Sequence, residues 1–523
     1  MNHSNDDLKT QVVIVGAGPT GLSMAAQLMR YGVDFILLEK NPSTTIFSKA
    51  LVVQARTLEI FQELGIANKA IREGRMTTAM NLFYKGKQRA AVNLSGLGKG
   101  LSAFPFALSL EQSKTEKLLV DYLIENGKQI KWRCTVSHFE QNNNGVIVLF
   151  KNENEQEQKI EANFLVGCDG ASSFVRHQLN LLFEGTTEPK LFYVADVILN
   201  SPVINKDELF MYMIKKGFVL FFPMEGTGHY RIVGILPDAK DKDADFTFEE
   251  IEQTIKQKII TPVEFEKLQW FSTYKVHSRK ASTFMENRYF IAGDAAHIHT
   301  PAGGQGMNTG IQDAYNLAWK IAYSLKNEVN VEVLRTYNSE RMGNAKHLLQ
   351  TTDRMFDLMS GINPFWSFLR LNFFPMLLGL ITKSKLVQKQ IFPLLSQIGI
   401  AYPDSYLTLR SVIGKVKAGD RMPYFVFSNG EDIFSYLSDP AFKLLFFGNE
   451  KENKNNELHN TRPKIKLIAF TETPKHIFGN ATNFYILLRP DNHISYIGKN
   501  VNKCKEFMDK ITLTEPNSKN GNR

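Results

Sequence analysis

An α/β fold is what this 523-residue sequence predicts: a parallel βαβ unit at the start, a separate sheet inserted into it, and a further α/β segment at the end. Three stretches carry that expectation. Gln11–Glu39 runs through an apolar strand, a Gly-rich turn, a helical pattern and a second apolar strand. Residues 190–237 change to short apolar runs separated by Gly-containing turns, the signature of antiparallel neighbours. Residues 415–510 return to alternating strand and helix patterns.

The first stretch is the most informative. Val12–Val15 is a β-branched apolar run that suits a strand buried on both faces. Gly16-Ala17-Gly18-Pro19-Thr20-Gly21 follows at once, then apolar residues at helical spacing from Leu22 to Arg30, then Phe35–Leu38 and Glu39. In such a unit the first glycine permits the tight turn. The second lets a pyrophosphate approach the backbone, and the third lets helix and strand pack closely. The helix start offers unpaired N–H groups to phosphates, and the acid can accept hydrogen bonds from a ribose.

Composition narrows the class. Net charge is 62 − 53 = +9, mild for this length and without a long basic block, so a lysine-rich solvated surface is expected and nucleic-acid binding is not. Cys134, Cys168 and Cys504 lie far apart, which gives neither a disulfide framework nor metal-ligand spacing and fits a reducing, cytoplasmic setting. The start MNHSNDDLKT is polar and has no signal-peptide core. Leu358–Thr382 is apolar, but Asn363, Pro364, Asn372 and Pro375 break it into short pieces, so two short amphipathic helices are expected and an integral span is not.

Further along, Arg56 opens a helical pattern ending at Leu64-Gly65, and Leu110–Glu125 reads as a helix carrying Gln112. Lys131–His138 and Gly145–Lys151 read as a hairpin. Phe164–Gly167 reads as a buried strand, followed by the turn Asp169-Gly170 and a helix capped by Ser172 or Ser173. The inserted strands are expected at 192–199, 209–214, 218–224, 230–236 and 268–278. They are rich in Phe and Met and suit the wall of an apolar ligand site. Tyr193, Asp196, Tyr212, Met213 and Phe222 are candidates to face that ligand, although alternation alone does not say which face is inward.

A second constellation follows. Tyr289–Ala292 ends in Gly293-Asp294, and the Gly-rich stretch Thr300–Gly310 feeds a helix with apolar positions at Ile311, Ala314, Ala318, Ile321 and Leu325. This again aims a helix N-terminus at an electron-rich group. Two nucleotide-type elements with a single GxGxxG suggest one large cofactor gripped at both ends.

At this point the residues resemble the single-component flavoprotein aromatic hydroxylases, the p-hydroxybenzoate and phenol hydroxylase group. The match rests on GAGPTGL at Gly16–Leu22, CDGASSFVR at Cys168–Arg176 and GDAAHIHTPAGGQGMNTG from Gly293 to Gly310. AGDRMP at Ala418–Pro423 and LLRPDNHISYIG at Leu487–Gly498 resemble the thioredoxin-like tail of the phenol-hydroxylase branch. The resemblance implies a Rossmann-type FAD-binding domain with an inserted mixed-sheet substrate domain and a C-terminal thioredoxin-like α/β domain. It implies FAD and NAD(P)H as cofactors, and hydroxylation of a phenolic or polycyclic aromatic substrate by O2 through a flavin C4a-hydroperoxide.

The expected division is 8–80, 110–188 and 279–350 for the FAD-binding domain and 81–109 and 189–278 for the substrate strands. A helical segment at 351–412, the thioredoxin-like domain at 413–512 and a disordered tail at 513–523 complete it.

The same resemblance implies site roles. Gly16, Gly18, Pro19, Thr20 and Gly21 would line the FAD pyrophosphate, with Glu39 and Lys40 at the adenosine ribose. Lys49, Arg56 and Gln112 would contact the phosphate and ribityl region. Asp169, Gly170 and Arg176 would serve FAD and transient nicotinamide binding. Gly293 and Asp294 would bind the ribityl or pyrophosphate region, and Pro301, Gly304, Gly306, Met307 and Asn308 would sit beside the isoalloxazine. Lys49 stands where members often carry Arg, and a lysine lacks the planar fork. Pro301, His297 and Arg279 are the candidate catalytic residues, and a homodimer is a candidate assembly. For His297 and Arg279, structural pairing is the competing reading.

Two other readings stay open. One is a different flavin enzyme on the same fold. The four tryptophans are too scattered for the WxWxIP segment of flavin halogenases, and a reductase would need a second dinucleotide motif and a cysteine pair. The other is a non-catalytic FAD-binding scaffold.

Overall fold

The computed structural model describes residues 8–46, 50–215, 217–236, 246–300, 304–360, 371, 385–453, 458 and 461–512. Its first sheet has six strands in the order Met285–Glu286, Tyr289–Ile291, Phe164–Gly167, Val12–Val15, Phe35–Leu38, Ile130–Lys131. Neighbours run parallel except at the Met285–Glu286 edge. Val12–Val15 lies inside this sheet and is buried along its length, as its unbroken apolar run requires.

Helix α1 (Pro19–Arg30) leaves that strand with Gly18 as N-cap and proline in its first turn. Helices α2 (Ala55–Glu63) and α3 (Gln112–Glu125) follow. The hairpin Thr135–Gln141/Val146–Lys151 forms a separate four-stranded sheet with Glu157–Ala162 and Leu8–Lys9.

The inserted sheet has eight strands. Their order is His297–Ile298, Glu264–Ala281, Phe183–Asn200, His229–Ile235, Gly217–Pro223, Leu209–Ile214, Ala79–Tyr84, Lys87–Asn93. It is antiparallel except where Leu209–Ile214 meets Ala79–Tyr84 in parallel. Helix α4 (Phe248–Ile259) covers one face with Phe248, Ile251, Ile255 and Ile259, which recur at helical spacing.

Helix α5 (Gly306–Leu325) returns the chain to the parallel sheet, where it packs on α1, and α6 (Val331–Ser360) packs on α5. Of the five apolar positions expected along α5, all but Leu325 are fully buried. The mixed α/β architecture is the one the sequence leads to.

Residues beyond α6 build a four-stranded sheet, ordered Ile465–Phe470, Phe442–Phe447, Phe484–Leu488, Ile494–Gly498, with the helix Asn502–Ile511 after it. The first pair is parallel and the others antiparallel. The three cysteines are free and buried. The apolar stretch Leu358–Thr382 lies outside the described residues apart from the end of α6 and Leu371, as does the tail 513–523. Among the described residues no helix is long and apolar enough to cross a membrane.

Candidate active site

The three glycines of the first turn do different jobs. Gly16 has φ +99°, and a Cβ there would lie 2.5 Å from the Cys168 carbonyl oxygen. A Cβ on Gly21 would overlap the Gly16 carbonyl. Packing therefore demands both. Gly18 has φ −72°, and a Cβ there would meet nothing within 4 Å. No side chain caps α1, so its first N–H groups open onto the same space.

At the end of the next strand, Glu39 Oε2 accepts from the Ala17 N–H at 2.7 Å, and Oε1 accepts from the Asn41 N–H at 2.9 Å and from its Nδ2 at 2.6 Å. A carboxylate has about four acceptor sites, so capacity for a hydroxyl remains. Lys40 is exposed beside it. Glu116, which the sequence does not single out, is buried nearby between Gln112 Nε2 at 2.8 Å and the Thr45 N–H at 2.9 Å.

Burial, with the Glu39 charge adding to it, raises the Glu116 carboxyl above its usual range.

The second cradle is built on Gly293. Its φ is +61°, and its N–H donates to Asp313 Oδ2 at 3.0 Å. Asp313 is fully buried and also takes His297 Nε2 at 2.7 Å and Arg341 Nε at 2.6 Å. Burial alone would raise its carboxyl; Arg341 and His297 outweigh that and hold it down at about 2. Asp294 differs. Its side chain is solvent-accessible, yet enough protein surrounds it that burial raises its carboxyl, as at the bottom of an open cleft. It accepts no hydrogen bond among the described residues.

Helix α5 starts at Gly306, and among the described residues no side chain caps its first N–H groups.

One side chain joins the two cradles. Thr20, in the first turn of α1, packs so tightly on Gly293 and Gly310 that neither glycine could carry a Cβ. The turn at Gly18 and the first turns of α5 are therefore packed side by side.

Several sequence candidates turn out to hold the cleft together instead of facing it. Asn308 makes four hydrogen bonds: Oδ1 accepts from the Gln54 N–H and Thr57 Oγ1, and Nδ2 donates to the Val52 and Gly304 carbonyls, all at 2.8–2.9 Å. It locks α2 to the α5 entry, and its side chain has nothing left for a ligand. Arg56 is corrected most plainly. It is buried with Nη1 on Glu59 at 3.0 Å, Nη2 on the Asp491 carbonyl at 3.0 Å, and its guanidinium 5.3 Å over the Tyr315 ring. It points to the C-terminal unit, not to a phosphate.

Asp169 caps its own turn through Ser173 Oγ at 2.5 Å and the Val175 N–H at 3.1 Å, beside the open Gly170. Arg176 donates to the Ala295 and Ala171 carbonyls at 3.0 and 2.7 Å, over the Phe183 ring.

His297 is held between Asp313 and the Phe284 ring at 5.6 Å, and its buried Nδ1 has no hydrogen-bond partner among the described residues. Arg279 donates to Thr187 Oγ1 at 2.9 Å across the ladder that pairs Phe183–Asn200 with Glu264–Ala281 in the inserted sheet. Met307 packs against the main core. Lys49 and Pro301 lie outside the described residues.

The inserted sheet sorts its candidates by face. Tyr193 and Tyr212 lie in the buried cluster that Phe248, Ile251, Ile255 and Ile259 of α4 complete. Their neighbours Phe192, Met211 and Met213 form a separate cluster on the opposite face, which Leu82, Phe218 and Ile235 share. Register places Phe222 and Asp196 on that face too, each opposite Arg231. Arg231 and Asp196 make a buried two-pronged ion pair, 2.7 Å on each prong, and Arg231 Nη1 reaches the Ala50 carbonyl at 3.2 Å beside the α2 entry. This second bond ties the strand that carries Arg231 to the segment leading into α2. Arg231 was legible only as a charge inside an apolar strand pattern. Among the described residues no cluster of His, Cys, Asp and Glu could hold a metal ion.

Residues 9–352 match the family described as FAD binding domain. The chain is 29% identical over 514 residues to a protein of Bacillus subtilis named as uncharacterized aromatic compound monooxygenase YhjG, covering 96% of this chain and 97% of that one. It is 30% identical over 452 residues to 6-methylpretetramide 4-monooxygenase of Streptomyces rimosus, covering 84% of this chain and 80% of the relative. The structure superimposes on the OxyS anhydrotetracycline hydroxylase of Streptomyces rimosus with a TM-score of 0.76 at 26% identity, over 97% of this chain and 99% of the other.

Proposed function

The chain belongs to the FAD binding domain family, and from that premise we propose how this FAD-dependent aromatic monooxygenase holds its cofactor and substrate. When bound and reduced by NAD(P)H, FAD supplies activation of O2 and delivery of one oxygen atom to an electron-rich ring. The rest falls to the protein.

Gly18 and the first N–H groups of α1 take the pyrophosphate, and Glu39 takes the adenosine ribose. Asp294 takes hydroxyls of the ribityl chain, which its accessible, unpartnered carboxylate supports. The open N-terminus of α5 takes the flavin end, where its N–H groups stabilise negative charge without a basic side chain. Phe192, Met211, Met213 and Phe222 exclude water on the substrate side, and Arg231 ties that wall to the α2 entry. The substrate is a phenolic or polycyclic aromatic compound, the class named for the relatives that act on pentachlorophenol and 6-methylpretetramide. We also read the protein as cytoplasmic, without nucleic-acid partners, and able to form a homodimer; the mild charge and buried thiols support the first two.

The observation that carries this reading is the contact of Thr20 with Gly293 and Gly310, which brings two open helix N-termini to one cleft. The test is the rate of flavin reduction by NADH and by NADPH across a panel of phenols and aromatic antibiotics. Acceleration by at least one aromatic compound is expected. Bound flavin with no response to any of them favours a non-catalytic scaffold.

A further inference from the structure

The C-terminal unit reaches the back of the second cradle through a buried chain of charges. Arg489 donates to both oxygens of Glu340 on α6, at 2.6 and 3.1 Å, and from Nε to Asp491 at 3.0 Å. Asp491 Oδ2 accepts from the indole N–H of Trp319 on α5 at 3.2 Å, and Glu340 holds Lys320 of α5 at 2.8 Å. Beside Glu340, Arg341 donates to the Tyr402 hydroxyl at 2.9 Å and to Asp313, which accepts the Gly293 N–H. The Tyr402 ring closes the loop, 4.7 Å from the His493 ring and 5.2 Å from the Arg489 guanidinium.

Docking alone does not call for this. Apolar residues of similar volume would hold two units together at least as well, because buried ion pairs give up most of their attraction to desolvation. What two-pronged charged hydrogen bonds add is a fixed geometry.

We propose that the Arg489–His493 turn is a positioning element for the flavin: acting through Trp319, Glu340 and the Tyr402–Arg341–Asp313 relay, it sets where the α5 N-terminus and Gly293 stand. The C-terminal unit thereby governs how tightly FAD is held and the potential at which it is reduced. The inference rests on the reading that Gly293 and the start of α5 hold the flavin end. It gives the unit a task without thiol chemistry, consistent with its single buried cysteine, Cys504. None of its members touches the reacting atoms, so they are positioning residues.

Four variants of the whole chain, titrated with FAD, test it. Tyr402→Phe removes only the hydroxyl that Arg341 uses, and Arg489→Lys keeps the charge but loses the fork. Asn330→Ala releases a different edge of the same unit, where Asn330 Nδ2 donates to the Lys510 carbonyl at 2.7 Å. Gly18→Val blocks the first cradle.

FAD dissociation constant, flavin reduction potential and melting temperature are read for each. The expected result is FAD binding weakened roughly 3- to 30-fold in Tyr402→Phe and Arg489→Lys, with a shifted potential. Asn330→Ala should lower the melting temperature alone. Wild-type affinity and potential in Tyr402→Phe, with FAD lost in Gly18→Val, overturns the inference and leaves the cradle reading standing. An equal loss of FAD in Asn330→Ala overturns it as well. FAD retained in Gly18→Val refutes the cradle reading, and this inference with it.

Discussion

Thr20 and Gly310 touch so closely that the glycine has no room for a β-carbon, and the same threonine closes on Gly293. Helices α1 and α5 start more than 280 residues apart in sequence, at Pro19 and Gly306, yet this contact makes their N-termini two walls of one cleft.

Gly310→Ala should therefore push the two walls apart. Overpacking of this kind costs about 1–3 kcal/mol, read as a lower melting temperature together with reduced flavin occupancy. Removing the obstructing hydroxyl in Thr20→Ala/Gly310→Ala should restore part of both. A single variant with full occupancy and unchanged melting would count against the contact.

The glycines of the first turn should separate under substitution. A Cβ on Gly18 meets no protein atom within 4 Å and φ is ordinary, so flavin-free Gly18→Val should lose no more than the small cost of a poorer helix cap while FAD binding is lost. Gly16→Ala meets backbone at a positive φ and should destabilise the flavin-free protein itself. Equal behaviour of the two would contradict their assignment to ligand space and packing.

A pH signature should come from His299. Its Nδ1 lies 2.7 Å from the Thr300 carbonyl, and burial lowers its folded pKa to about 4 against 6.5 for the free side chain. The folded state thus binds a proton later than the unfolded one. The contribution of His299 to stability is fully present above pH 6.5 and is lost as pH drops from there to 4, on the order of 3 kcal/mol. His299→Gln should flatten denaturation midpoints across that window. An unchanged slope would remove His299 as its source.

The sheet faces should separate in substrate kinetics. Met213→Ala should raise KM for the aromatic substrate roughly tenfold on flavin-loaded enzyme, through lost apolar contact. Tyr212→Leu, one residue earlier and facing α4, should lower stability and leave KM near wild type. The reverse pattern would invert the face assignment.

Much of this was readable from residues alone, for identifiable reasons. Val12–Glu39 is a local unit whose strand, turn, helix and acid are contiguous, so spacing suffices to locate the strand–turn–helix–strand unit. The face of Leu209–Ile214 was not readable, because Phe210, Met211, Tyr212, Met213 and Ile214 are all apolar or aromatic and show no alternation. Arg56 was misread for a different reason. Its partner, the Asp491 carbonyl, is 435 residues away, and no local pattern announces the arrival of that turn. Asp313 and Asn308 likewise lie within the helical pattern of α5, where a polar side chain gives no sign of being a buried lock.

The central claim is that one FAD, spanning from Gly18 to the start of α5, delivers oxygen to an aromatic ring held on the Phe192–Met213 face. The most direct measurement follows isotopically labelled O2 during NAD(P)H oxidation in the presence of an aromatic substrate that accelerates flavin reduction. One labelled oxygen atom in the hydroxylated product is the predicted result. Label found only in hydrogen peroxide and water, with every aromatic compound recovered unchanged, would contradict the account.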